Sequence, residues 1–118
     1  MSKAAVSALV SGTYLVLLGA WLLFFPASFC GFFGFAPPTD FWIRLAGGLI
    51  AIIGYLYVRA AQGNVRPFFR WSVEARPVVL VVTIVFVLLG LSPPILILFG
   101  VIDALGAAWM WWSLRTEA

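Results

Sequence analysis

The chain has 118 residues, of which 64% are hydrophobic, 9% are charged and none is histidine. Charged side chains make up about a quarter of an ordinary soluble domain, so this chain lacks the polar surface that solubility requires. That excludes a soluble domain, a nucleic-acid module and a disulfide-stapled secreted fold, and it leaves an integral membrane protein. The net charge of +3 rests on seven Lys and Arg, too few to build a basic face that tracks a phosphate backbone. With no histidine there is no imidazole ligand and no Ser/His or Cys/His dyad. The single Cys30 can form no intrachain disulfide. No metal and no cofactor are expected.

Four segments are long and apolar enough to cross a hydrocarbon core of about 30 Å, which takes roughly 20 residues. The first covers residues 4–25 and is closed by Pro26. Its run is longer than the apolar stretch of a signal peptide. Phe29 also stands where a lipoprotein cleavage site before Cys30 would need a small residue, so the span is expected to be kept. The second covers 41–61, with Thr39 or Asp40 placed to cap it after Pro37-Pro38. The third covers 71–91. Its clean apolar run begins only at Val78, so Glu74, Arg76 and Pro77 fall at the membrane boundary. The fourth covers 95–112.

Open strands cannot cross lipid, and a barrel's alternating pattern is absent, so the spans are helices. Arg59, Arg66, Arg70 and Arg76 gather between spans two and three, and Lys3 and Arg115 lie at the termini. The other two connections carry no basic residue. Basic residues collect on the cytoplasmic side. The expectation is therefore a single all-α domain, an antiparallel four-helix transmembrane bundle with both termini cytoplasmic, in a bacterial inner membrane.

Charged and polar groups inside the spans need a partner or a purpose, because each ionisable one costs roughly 2.5–3.5 kcal/mol at the bilayer centre. Asp103 lies about 13 Å along span four from Pro94 at helical rise. Its face carries Gly100, Gly106 and Ala107, small residues suited to close helix contact. Arg44, on a face with Gly47, Gly48 and Ala51, is the expected partner. Tyr14, Thr83 and Tyr55 complete an expected intramembrane polar cluster with Arg44 and Asp103. Its alternatives are an ion pair that fixes helix register and a substrate or proton site. One carboxylate without a second acid or base falls short of a general acid/base pair.

Two flanking groups follow. Arg66, Arg70, Glu74 and Arg76, interleaved with Phe68, Phe69 and Trp71, read as a cytoplasmic interface near anionic head groups or a partner. The outer loop 26–39 is apolar, with Phe29, Phe32, Phe33 and Phe35 between Gly31 and Gly34. It is expected to lie in the interface, to dip back over the bundle as a lid, or to pack on another subunit. Trp109, Trp111 and Trp112 fit an aromatic belt.

A first span with a late glycine and a terminal proline (Gly19…Pro26) leads into the Gly/Phe-rich loop. A second span then opens with Arg-Leu-Ala-Gly-Gly (Arg44–Gly48) and closes near Tyr55 and Arg59. This arrangement resembles the DoxX-like group of small bacterial four-helix membrane proteins, over about the first 60 residues. The group's namesake is associated with a thiosulfate:quinone oxidoreductase, so the resemblance implies an accessory role in a membrane redox complex. No catalytic residue carries over, and a lone cysteine speaks against thiol redox chemistry.

The functional expectation is a non-enzymatic accessory or structural subunit of a larger membrane complex, in contact with lipid and with other subunits or copies of itself. Two alternatives come from other classes. One is a small transporter or channel using the Asp103/Arg44 site. The other is a membrane enzyme or binder of a lipophilic molecule, a lipid or quinone, beneath the Phe-rich loop.

Overall fold

The computed structural model describes residues 2–35 and 41–117, and over them the chain is all-helical. In chain order the helices are α1 (Lys3–Phe24), α2 (Pro26–Phe33), α3 (Trp42–Gln62), α4 (Arg66–Leu88) and α5 (Leu96–Glu117). Four of them, α1, α3, α4 and α5, are long and apolar enough to cross a membrane, which fits an integral membrane protein. Thr39 and Asp40, the expected caps of the second span, lie outside the described residues.

Local chemistry explains most boundaries. Ser2 caps α1, its hydroxyl accepting from the Ala5 amide at 3.1 Å, and the same hydroxyl donates to Asn64 Oδ1 at 2.8 Å. The start of the chain is thereby tied to the short connection between α3 and α4. Pro26 ends α1 and begins α2, a position where a missing N–H costs nothing. Gly34 closes α2 in the left-handed region at φ 78°. Residues 26–33 of the expected outer loop are thus a helix of about two turns packed on α1.

The third span differs most from expectation. α4 begins at Arg66, not near Trp71, and continues through Pro77. An internal proline removes one backbone hydrogen bond and usually marks an end, but apolar spans tolerate it where neighbouring groups compensate. As a consequence Arg76 does not sit at a boundary. It lies 10 residues into α4, about 15 Å from its first turn.

Two helix pairs make the frame, α1 with α3 and α4 with α5, and α1 also packs along α5. Glycine sets the first pair. Gly12 faces Gly54, and Gly19 faces Gly47, so closely that a Cβ on any of the four would meet backbone atoms of the other helix at 2.5–2.7 Å. Such small-residue contacts let backbones approach and gain dispersion where the hydrophobic effect is weak. Packed cores flank the middle. At one end Ala4, Ala5, Ala8, Ala60, Ala61, Phe69 and Met110 are buried together. At the other, Leu22, Phe29 and Cys30 are buried among Leu18, Trp21, Phe33, Phe35 and Phe99.

α3 and α4 are consecutive in sequence but are not a closely packed pair. They meet through side chains, where Tyr57 hydrogen-bonds Ser72 at 2.8 Å and stands edge-on to Phe68 at 5.1 Å. Arg76 of α4 also lies over the Tyr57 ring.

Adjacent glycines test the α1–α3 contact. Gly47→Ala is expected to lower stability in mild detergent by about 1–3 kcal/mol through overpacking. Gly48→Ala, with nothing within 4 Å of the added carbon, is expected to be neutral or to stabilise by up to about 1 kcal/mol. Unfolding midpoints of the two variants decide it, and equal effects would contradict the packing.

Candidate functional site

A cavity of about 770 Å³ has walls from α1, α2, α3, α4, α5, Phe35 and residues 91–93. Its long walls are apolar, with Leu18, Ile50, Ile53, Val79, Leu96 and Phe99 among them. Tyr14, Tyr57, Arg76, Thr83 and Asp103 also line it, and they come from four different helices. A volume in the range of about 300–1,000 Å³, apolar walls and a few convergent polar groups are the usual marks of a small-molecule site.

Arg76 organises the polar end. Its side chain is only 7% exposed. One terminal nitrogen, Nη1, donates to Ser11 Oγ on α1 at 3.2 Å, and the other, Nη2, donates to Asp103 Oδ1 on α5 at 3.5 Å. The guanidinium also lies 5.5 Å from the ring centre of Tyr57 on α3, close enough for a cation–π attraction. One planar cation thus touches all three other long helices. Gly106 makes this possible, because a Cβ at that position would run into Arg76 Nη2. Arginine suits the role, since its fork can serve two acceptors at once while its flat face stacks on a ring.

The sequence-expected cluster is brought together only in part. Asp103, Tyr14 and Thr83 share the cavity. Arg44 does not join them. It is exposed, and its Nη1 donates to the Leu23 carbonyl on α1 at 3.0 Å, so it caps the end of a neighbouring helix rather than pairing with Asp103. The ion partner of Asp103 is Arg76. Tyr55 is 56% exposed and is not among the lining residues. Thr83 donates back to its own helix at Leu80 O, 2.8 Å away, and its hydroxyl sits where a Cβ on Gly100 would fall.

Of the expected cytoplasmic interface, Arg70 and Glu74 are exposed and Arg66 is half-buried at the start of α4, whereas Arg76 belongs to the cavity. The outer phenylalanines divide. Phe29 is buried and lines the cavity with Phe35, Phe33 packs beside them, and Phe32 is 75% exposed. Trp21 gathers Phe29, Phe32 and Phe33 around it at 5.2–5.7 Å, and Phe99 joins Phe29 at 5.7 Å. α2 therefore closes one end of the cavity with aromatic rings.

Ser11, Tyr57 and Ser72 were not expected to contribute, whereas Gly106 belongs to the small-residue face expected around Asp103. A signal for them exists. Ser72, Arg76 and Thr83 recur at spacings of four and seven, and Ser7, Ser11 and Tyr14 at four and three, which places each set on one helical face. Four buried side-chain polar atoms among the described residues have no hydrogen-bond partner, and two of them, the Tyr14 hydroxyl and Arg76 Nε, belong to cavity residues.

No family model matches the chain, and neither a curated protein nor a solved structure matches it.

Removing one partner of a buried ion pair strands the other. Arg76→Leu is therefore expected to cost about 3–5 kcal/mol of stability, while Arg44→Leu, at an exposed site, is expected to cost less than about 1 kcal/mol. Denaturation of both variants in mixed micelles checks this, and a larger loss for Arg44→Leu would contradict the assignment.

Proposed function

We propose that the protein is a small integral membrane protein that binds a lipophilic molecule in the cavity between α3 and α4. The observation that carries this reading is the cavity itself, about 770 Å³, apolar along its walls and with Arg76, Asp103 and Tyr14 among its lining residues. Such a division matches an amphiphile with a hydrocarbon body and a polar end. The looseness of the α3–α4 pair supports entry sideways from the bilayer, the phase in which a lipophile is dissolved.

The bundle is antiparallel in this reading. The pairing of Gly12 with Gly54, of Gly19 with Gly47 and of Thr83 with Gly100 supports it, since early residues of one helix meet late residues of the next. Both termini face the cytoplasm of a bacterial-type inner membrane, a topology supported by Lys3, Arg59, Arg66, Arg70 and Arg115. The exposed apolar faces of α3 and α4, with Leu49, Ile52, Val81 and Phe86 among them, then contact lipid.

A second reading is a subunit of a larger membrane complex, in line with the DoxX-like resemblance. It is favoured by exposed aromatic residues around the α1–α2 junction and the start of α3, namely Phe24, Phe25, Phe32, Phe41 and Trp42. A transport path built on Arg44 and Asp103 lacks the juxtaposition it needs, because the two residues have different partners.

Mass spectrometry of protein purified in lipid nanodiscs tests the binding reading. The wild type is expected to retain a lipophile beyond the bulk lipid background. Leu18→Trp, which fills the cavity, is expected to lose it while its melting midpoint and helix content hold. Equal retention by the two proteins would overturn the reading.

A further inference from the structure

We propose that the cavity holds a single-chain lipophile inverted with respect to the bilayer lipids. Its polar end lies at mid-membrane on the Arg76–Asp103 pair, and its apolar body points toward the nearer membrane surface. This deepens the binding reading above and rests on it.

The placement of the lining residues carries the first half. Tyr14 is the earliest of them on α1, Tyr57 the latest on α3, Arg76 the earliest on α4 and Asp103 the latest on α5. In the antiparallel arrangement these four mark one level of the bundle, and contacts of Arg76 with Tyr57 and Asp103 tie that level together. The cavity runs from there to the end that holds the α1–α2 junction, the start of α3 and residues 91–93. The opposite end is packed, with Ala4, Ala8, Ala61, Phe69 and Met110 buried together. Arg76 stands about 15 Å along α4, a helix of about 34 Å, so the pair lies near mid-depth. From that level the lining extends about 10 Å along α5 to Leu96 and about 22 Å along α3 to Trp42.

The distribution of polarity carries the second half. The ion pair sits at the deep end, and it has hydrogen-bonding capacity to spare. Asp103 accepts from Arg76 on Oδ1 alone, at 3.5 Å, and no described residue bonds its Oδ2. Its side chain is 17% exposed, against 7% for Arg76. Each terminal nitrogen of Arg76 also carries a second N–H. Hydrocarbon laid against such groups leaves them without partners, which is costly. A hydroxyl both donates and accepts, so it serves the carboxylate and the guanidinium alike. The shallow end makes no such demand. Leu22, Phe35, Ile43 and Leu96 line it, and the Ser92 hydroxyl there donates to Pro93 O at 3.2 Å. A phospholipid keeps its head at the membrane surface and its tails at mid-depth, so in this cavity its tails would lie on the ion pair. The match is a lipophile with one small polar end.

The test uses the full chain in nanodiscs and two photoreactive forms of dodecanol. One carries a diazirine beside the hydroxyl, the other at the far end of the chain. Peptide mass spectrometry maps the labelled residues, counting only labelling that excess plain dodecanol competes away. The probe reactive beside its hydroxyl is expected to mark the group around Tyr57, Arg76 and Asp103 about tenfold more than the group around Phe35, Leu91 and Leu96, and the far-end probe the reverse. Equal marking of the two groups, or the opposite pattern, would overturn the inversion while the cavity still binds. Joint replacement by Arg76→Leu and Asp103→Leu removes the polar floor and is expected to bring the two maps within about twofold of each other. An unchanged inversion in that variant would also overturn the proposal, and the wild-type maps decide the orientation if the variant fails to fold. If no labelling is competed away, or if Leu18→Trp is labelled as strongly as the wild type, the binding reading falls and the inversion with it.

Discussion

A guanidinium and a carboxylate placed within apolar helices must find each other or destabilise the fold, and the middle of this bundle is arranged around that requirement. Arg76 reaches from α4 to Asp103 on α5, to Ser11 on α1 and to the face of Tyr57 on α3. Desolvating the two charges costs several kcal/mol each, which only good geometry and added hydrogen bonds offset. The protein supplies these through small residues. Gly106 makes room for the guanidinium, and Gly100 makes room for Thr83 about two turns away. The pair therefore fixes how α4 rotates against α5 and ties both to α1.

The cavity follows from what the ion pair and the glycines do to the helices. Gly12, Gly19, Gly47 and Gly54 draw α1 and α3 into close backbone contact. α4 is held to α5 and, through Arg76, to the inner faces of α1 and α3. With α3 committed to α1 and α4 committed to α5, the two consecutive helices meet mainly around Tyr57, which bridges to Ser72, Phe68 and Arg76. Aromatic packing beneath α2 closes one end, and the polar groups line the space as well. A space of this kind, apolar in its length and with Tyr14, Arg76, Thr83 and Asp103 among its walls, is what makes ligand binding the best-supported reading of an otherwise plain bundle.

The helices and their membrane character were legible in the sequence, because runs of about twenty apolar residues with almost no charge admit little else. The interior was legible only in part. Asp103 stood out as a carboxylate on a face of Gly100, Gly106 and Ala107, and it does turn inward to a partner. That partner was misread for a physical reason. Pro77 interrupts the hydropathy of the third span and suggests that Arg76 lies at a boundary, whereas α4 runs straight through the proline. Arg44 looked better by its Gly47 and Gly48, but those glycines serve different faces: Gly47 meets α1, and Gly48 meets nothing within 4 Å. The face shared by Ser72, Arg76 and Thr83 was the signal that distinguishes the two arginines. The partition of loop 26–39 was not legible, since eight residues that mix small and aromatic types do not by themselves announce a helix.

The coupling energy between Arg76 and Asp103 tests the central claim most directly. It is obtained from the unfolding free energies of the wild type, Arg76→Leu, Asp103→Leu and the double variant in a bilayer-like host. A coupling of about 2–3 kcal/mol is expected, with the double variant more stable than Arg76→Leu alone. Additive losses within about 0.5 kcal/mol, or a larger coupling between Arg44 and Asp103, would contradict the account.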